Sequence, residues 1–409
     1  MTTTTAAKVA PATAAVGGRR GVMLAMATIG FALNFWAWAL LSPLGTHFKQ
    51  SLQLSSFDQA LLVAVPVVVG SLGRIPVGAL TDRFGGRVMF PLISALTIVP
   101  VLFIGYAGHS SFTALLIGGF FLGIGGTSFA VGVPFVNGWF PPARRGAAIG
   151  IFGMGMGGTA ISALTTVKLV HHGISTPFLI VAVALAVYAA VAAVVLRDPP
   201  GRTLPTDPTL TRLIATSKLA VTWQAAALYA VGFGGYVAFS VYLPTYLKNA
   251  YALSQDDASM KMAGFVLLAV ALRPMGGWLS DRLPPTRVLA VAFSVVVAGA
   301  FVQSATPGLA PVGTIAFLAM AAALGTASGA VFALVAQRAP ANRVGAVTGV
   351  VGAAGGLGGF IPPLFMGSLY GRTGSYAGGL IALAIVAGCA LAGSLVMSRS
   401  GRVVGARAN

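Results

Sequence analysis

Glutamate is absent from this 409-residue chain, and aspartate occurs only seven times, at Asp58, Asp82, Asp198, Asp207, Asp256, Asp257 and Asp281. No nucleophile, acid–base pair or metal-ligand cluster stands at a defined depth in any apolar run, which argues against an enzyme and against a bound cofactor. The single cysteine, Cys389, forms no intrachain disulfide and gives no redox or metal signal. Charged residues make up 8% of the chain and hydrophobic ones 57%, with a mean hydropathy of +0.90. A soluble domain of this length cannot hide so much apolar surface from water. The chain belongs in a bilayer.

Apolar runs of about 20 residues cross ~30 Å of hydrocarbon at 1.5 Å per residue. Twelve such runs are predicted, near residues 21–45, 57–80, 88–107, 111–136, 145–169, 175–196, 219–247, 258–280, 288–305, 309–336, 344–370 and 375–398. An even number of crossings puts both termini on one side. That side collects Lys8, Arg19, Arg20, Arg83, Arg87, Arg144, Arg145, Arg197, Arg202, Arg212, Lys218, Arg282, Arg287, Arg338, Arg343, Arg399, Arg402 and Arg407. The other side holds Lys49, Lys168, Lys248, Lys261 and Arg372. The basic side is therefore expected to be cytoplasmic, in the cell membrane. A net charge of +18 is then a topology signal rather than a sign of nucleic-acid binding. The expected organisation is a disordered cytoplasmic tail over 1–20, a six-helix half over 21–196, a polar cytoplasmic linker over 197–218, a second six-helix half over 219–398 and a cytoplasmic tail over 399–409.

The halves are repeats. "RIPVGALTDR" from Arg74 to Arg83 aligns with "RPMGGWLSDR" from Arg273 to Arg282 at an offset of 199 residues. The same offset carries Gly146, Gly150, Gly153 and Gly157 onto Gly345, Gly349, Gly352 and Gly356, and Gly126-Thr127 onto Gly325-Thr326. The expected fold is an all-α integral membrane protein with two pseudo-symmetric six-helix halves.

Arg74 and Arg273 each precede an aspartate, Asp82 or Asp281, by eight residues, which places them roughly 12 Å inside the basic face. Snorkelling to the interface works poorly at that depth. Every aspartate lies at a run end or in a loop, so no protein carboxylate is available as partner. Two symmetric guanidiniums without counter-charges call for an anion from outside; satisfaction by backbone carbonyls is the alternative.

"GRIPVGALTDRFGGR" resembles the loop 2/3 signature of the major facilitator superfamily. "GGTSFAVGVPFVNGWFPPARRGAAIGIFGMGMGGTA" (125–160) and "GAVTGVVGAAGGLGGFIPPLFMG" (345–367) resemble the paired signatures of its nitrate/nitrite porter family, over essentially all twelve runs. The resemblance implies a nitrate or nitrite transporter in which Arg74 and Arg273 grip the anion between the halves. It also implies that Tyr229 and Phe233 on span 7 and Phe129 on span 4 border the site. Phe31 is a further candidate wall, beside the position that the offset pairs with Tyr229. The family usually shows Gly-x-Gly-Asn on span 5, whereas this chain has Gly153-Met154-Gly155-Met156. Met156 either narrows the pocket or marks a related anion such as nitrite, cyanate or a small carboxylate. Asp82, Arg83, Arg87 and Arg144, with Asp281 and Arg282 as counterparts, are the candidate gate at the basic face.

The glycines of spans 5 and 11 recur at helical spacing and suit close, slidable helix contacts. They form no dinucleotide site, since no strand precedes them. His47, His109, His171 and His172 all fall toward the less basic side, and no carboxylate lies at depth. With no obvious proton carrier, anion exchange by rocking of the halves is expected rather than proton symport. A carrier for another small or organic anion is the remaining alternative, and a channel lacks the continuous polar lining it would need. The expected partners are a small inorganic anion and the lipid bilayer, with the chain acting as a monomer.

Overall fold

The structure is a computed structural model that describes residues 10–200, 214–340 and 344–406. Its twelve helices long and apolar enough to cross a membrane are α1 Arg19–Ser51, α2 Ser56–Thr81, α3 Gly86–Gly108, α4 Phe112–Trp139, α5 Ala148–Val170, α6 Thr176–Val195, α7 Ala220–Tyr251, α8 Gln255–Arg282, α9 Pro285–Ser304, α10 Leu309–Val335, α11 Val347–Thr373 and α12 Ala377–Arg399. Among the described residues every regular element is helical. Each helix coincides with one of the apolar runs, because a spanning segment in hydrocarbon must satisfy its backbone groups internally.

Two ends differ from expectation. Residues 10–20, expected within a disordered tail, are helical and continuous with α1. The last helix likewise continues into the expected tail, as far as Ala406. Extending an existing helix adds one hydrogen bond per residue fixed without a new nucleation step, so flanking residues propagate a spanning helix at little cost. Lys8 and the linker residues 201–213 lie outside the described residues.

The halves pack through helices related by the repeat. Helix α2 lies against α11, and its counterpart α8 lies against α5. At the periphery α3 packs on α6 and α9 on α12. Helices α6 and α12 are the least enclosed of the twelve and α7 the most, which sets the former against lipid and the latter at the centre. The symmetry reaches the backbone. Ser55 caps α2 by accepting from the Asp58 N–H at 3.0 Å, and Ser254 caps α8 by accepting from the Asp257 N–H at 3.1 Å. Just before each cap the chain passes through a positive φ, 53° at Gln53 and 52° at Ala252, again 199 residues apart.

Glycine seams bring backbones together inside each half. A methyl group on Gly276, Gly325 or Gly329 would overlap the carbonyl oxygens of Thr326, Ala269 and Arg273 respectively, so α8 and α10 touch main chain to main chain. In the first half Gly123 meets the Pro66 carbonyl, and Gly126 meets Gly70. These seams fix the two helices that carry the arginines. At the basic face Gly85 holds φ at 81° and leaves no room for a side chain beside the Asp198 carboxylate. That carboxylate accepts the Arg87 backbone N–H at 3.1 Å and so ties the end of α6 to the start of α3. Replacing Gly325 by alanine should force α8 and α10 apart and destabilise the protein by about 1–3 kcal/mol, the usual range for overpacking. A lowered melting temperature of the purified protein in detergent would show this, and an unchanged one would refute the seam.

Candidate functional site

Arg74 sits where α2 is interrupted at Gly73, the helix stopping at Leu72 and resuming at Arg74. Pro76, with no N–H to return to Leu72, helps to maintain the break. Arg273 sits in an unbroken α8, immediately before Pro274. Both side chains are only 6% exposed. Sequence symmetry thus places the pair, while the backbone around them differs.

Each arginine reaches across to the other half. Arg74 donates from Nη1 to the Gly352 carbonyl of α11 at 2.8 Å and from Nε to the Gly126 carbonyl of α4 at 3.4 Å. The aliphatic stem and guanidinium of Arg273 lie over Gly153 of α5. Gly352 and Gly153 are themselves repeat counterparts, so each arginine meets the matching glycine of the opposite half, Arg74 through its carbonyl and Arg273 through packing. Arg273 further donates to the Met156 sulfur through Nη1 and to the Tyr229 hydroxyl through Nη2, the latter at 2.7 Å. A guanidinium carries five N–H donors. Among the described residues these bonds leave Nη2 of Arg74 and Nε of Arg273 unused.

Aromatic faces enclose both charges. The Arg74 guanidinium carbon lies 5.2 Å from the Phe129 ring centre and 5.5 Å from that of Phe233. The corresponding distances from Arg273 are 5.7 and 5.5 Å. The same two rings therefore border both cations, an arrangement in which cation–π attraction partly replaces a counter-ion. Tyr229 stacks on Phe233 with centres 4.9 Å apart. Phe31 is fully buried behind Phe129, at 5.7 Å, and stacks on Phe152, so it supports the wall rather than facing the arginines.

Local winding supplies the acceptors. Residues Gly123–Thr127 of α4 and Met154–Gly157 within α5 adopt the tighter 3-10 form. That winding, with its different hydrogen-bond register, presents the Gly126 carbonyl to Arg74 and the Met156 carbonyl to the Tyr236 hydroxyl of α7, at 3.4 Å. Thr159 also meets that hydroxyl, at 3.2 Å. Of the packing glycines, Gly150 faces Pro274, Gly153 faces Arg273, Gly352 faces Phe129 and Gly356 abuts Ser71, all across the interface between halves. Gly157 and Gly349 meet nothing within 4 Å, contrary to the expectation of one continuous contact face. For Gly157 the reason is the 3-10 turn, which rotates it away from its predecessors. The surroundings of Gly146 and Gly345 lie outside what is described.

The proposed gate residues lie at the basic ends of α2, α3, α5 and α8 without forming one cluster among the described contacts. Arg83 lies over the Phe84 ring at 5.5 Å and Arg282 over the Trp278 ring at 3.8 Å. Arg87, Arg144 and Asp281 are exposed. The Asp82 side chain lies outside the described residues.

Three site residues escaped the sequence reading. Tyr236 continues the Tyr229–Phe233 face by one further turn, a helical spacing that would have revealed it. Phe152 lies one residue before Gly153, and its ring lies against Gly132. Phe332 of α10 lies 6.0 Å from Arg273 and 4.8 Å from Tyr229, yet its repeat counterpart is Val133, so symmetry gave no signal.

Twelve spanning helices in two repeated halves, with a buried cationic site between them, define a membrane carrier. The Major Facilitator Superfamily model matches residues 27–363. Over 85% of this chain and 88% of the relative, 50% of residues are identical to a probable nitrate/nitrite transporter, NarK2, of Mycobacterium tuberculosis H37Rv. A nitrite extrusion protein of Bacillus subtilis is 35% identical over 90% of this chain and 92% of its own. A bacterial homologue of the human lysosomal transporter Spinster, solved facing inward, superposes with a TM-score of 0.71 at 20% identity over 93% of this chain and 97% of its own. The chain belongs to the nitrate/nitrite porter family of the major facilitator superfamily; it is a transport protein and not an enzyme.

Tyr236→Phe removes a buried hydroxyl that links α7 to α5 across the halves. The expected loss is about 0.5–1.5 kcal/mol, the net worth of an ordinary hydrogen bond. Thermal unfolding of the variant in detergent measures it, and an unchanged midpoint would mean the link contributes nothing.

Proposed function

We propose that this protein carries nitrate, nitrite or both across the cytoplasmic membrane by alternating access, with the anion held between Arg74 and Arg273. The observation that carries the reading is the pair of buried guanidiniums, one from each half, sharing the Phe129 and Phe233 walls with no carboxylate among their hydrogen-bond partners in the described residues. The names of the relatives support the substrate class. The distribution of lysine and arginine supports a cytoplasmic basic face.

In this mechanism a planar monoanion replaces weak acceptors with charged ones. Charge-assisted hydrogen bonds to an oxyanion are about twice as strong as neutral ones, so the anion competes with the Gly352 carbonyl, the Met156 sulfur and the Tyr229 hydroxyl. Nη2 of Arg74 and Nε of Arg273 supply further donors. Because each arginine reaches across the interface, anion binding pulls the halves together at the site. Rocking then exposes the site first on one face and then on the other.

Hydrogen bonds already tie the halves at the site and on the less basic side. Ser42 Oγ donates to the Val241 carbonyl at 2.7 Å, and Gln59 Nε2 donates to Thr245 Oγ1 at 3.1 Å. Outward opening must break these. An empty site would have to pass through the enclosed form with two uncompensated charges, which favours a return journey loaded with a second anion. Nitrate/nitrite exchange is therefore proposed over proton symport.

Lysine at either arginine position keeps the charge but loses the planar fork. Arg74→Lys and Arg273→Lys should each reduce nitrate uptake into proteoliposomes by at least about 10-fold, corresponding to a charged hydrogen bond of ~1.5 kcal/mol or more, with membrane insertion unchanged. Normal uptake by both would overturn the central site. Nitrate uptake should also require nitrite or nitrate inside the vesicles. Uptake into anion-free vesicles driven by a pH gradient would overturn exchange while leaving the site standing.

A further inference from the structure

The less basic face holds a second repeated cationic pair. At the end of α1 the chain reads Thr46-His47-Phe48-Lys49-Gln50, and 199 residues later, at the end of α7, Thr245-Tyr246-Leu247-Lys248-Asn249. The two segments come from opposite halves. Thr46, Lys49, Gln50, Lys248 and Asn249 line one cavity of about 390 Å³. Both lysines are partly buried there, and Lys49 Nζ donates to Ser56 Oγ at 3.0 Å.

Two of the nearby acids are engaged in helix caps, and the third is exposed. Asp58 and Asp257 accept from the Ser55 and Ser254 hydroxyls at 2.7 and 2.8 Å and complete the caps of α2 and α8. Asp256 is exposed on the first turn of α8. The cavity lies on the outer side of the seal formed by Ser42 with Val241 and Gln59 with Thr245. Two like charges therefore face one open space from opposite halves, each with a neutral amide beside it. At about 30 Å³ per water, the space has room for a small anion together with part of its hydration shell.

We propose that this cavity is an outer anion site, in which Lys49 and Lys248 hold a small inorganic monoanion at the mouth of the closed path. Amide groups of Gln50 and Asn249 supply additional donors. The bound anion offsets the repulsion between the two ammonium groups and so stabilises closure of the halves on this face. An ammonium is a point charge without fork geometry, so this site selects by charge and size rather than by planarity. It stands independently of which anion the central arginines carry.

The test is competition labelling of the full-length protein in nanodiscs with a neutral amine-reactive ester, read residue by residue by mass spectrometry. Sodium nitrate, sodium nitrite and sodium chloride are the probes, and Lys168 and Lys261 on the same face are internal controls. Each salt should slow modification of Lys49 and Lys248 but not of the controls, and this protection should persist in Arg74→Lys and Arg273→Lys. Lys49→Gln should raise the nitrate concentration that half-protects Lys248 several-fold, and Lys49→Arg should restore it. Equal labelling of all four lysines with and without anion would overturn the outer site, as would protection that vanishes with the central arginines. Protection without nitrate transport would leave this site intact and count against the proposed substrate alone.

Discussion

Two positive charges buried between the halves, held among the described residues by no carboxylate, are the constraint on which this structure turns. A guanidinium removed from water must be compensated by hydrogen bonds or by an opposite charge. Here the compensation is distributed over a main-chain carbonyl from each of two helices, a thioether, a phenol and the faces of aromatic rings. None of these is an ion. The enclosed site carries two positive charges and is walled by aromatic rings.

The glycine seams serve the same end at the level of packing. Without side chains at Gly325 and Gly329, α10 lies directly on α8 and fixes the helix from which Arg273 projects. Across the interface, Gly153 and Gly352 leave open the surfaces over which the arginines of the opposite half extend. A bulkier residue at Gly153 would press on the Arg273 side chain, and one at Gly352 on the Phe129 ring. The signature segments of α5 and α11 thus meet two requirements at once, helix contact and contact with an arginine of the opposite half.

Symmetry explains much, and its failures are informative. The arginines, the interfacial glycines, the serine caps and the positive-φ residues before them all repeat at one offset. Met156 does not, since its counterpart is Gly355, whose surroundings are the Tyr229 and Phe233 rings. One half therefore contributes a thioether where the other contributes aromatic rings, and the site is asymmetric although its charges are not.

The sequence by itself determined the number of spans, their approximate limits, the division into halves and the identity of the two arginines. These follow from hydropathy, from the sidedness of lysine and arginine, and from a repeat that a single sequence contains in full. Tyr229, Phe233 and Phe129 were legible through resemblance to a family. The tertiary structure decided which atoms answer the guanidiniums. It assigned Gly352 and Gly126 to Arg74, gave Met156 and Tyr229 to Arg273, moved Phe31 into a supporting layer and brought in Phe332. Backbone carbonyls are present in every residue and leave no mark on composition. Their availability depends on local winding and on which helices meet, and those are properties of the packed molecule.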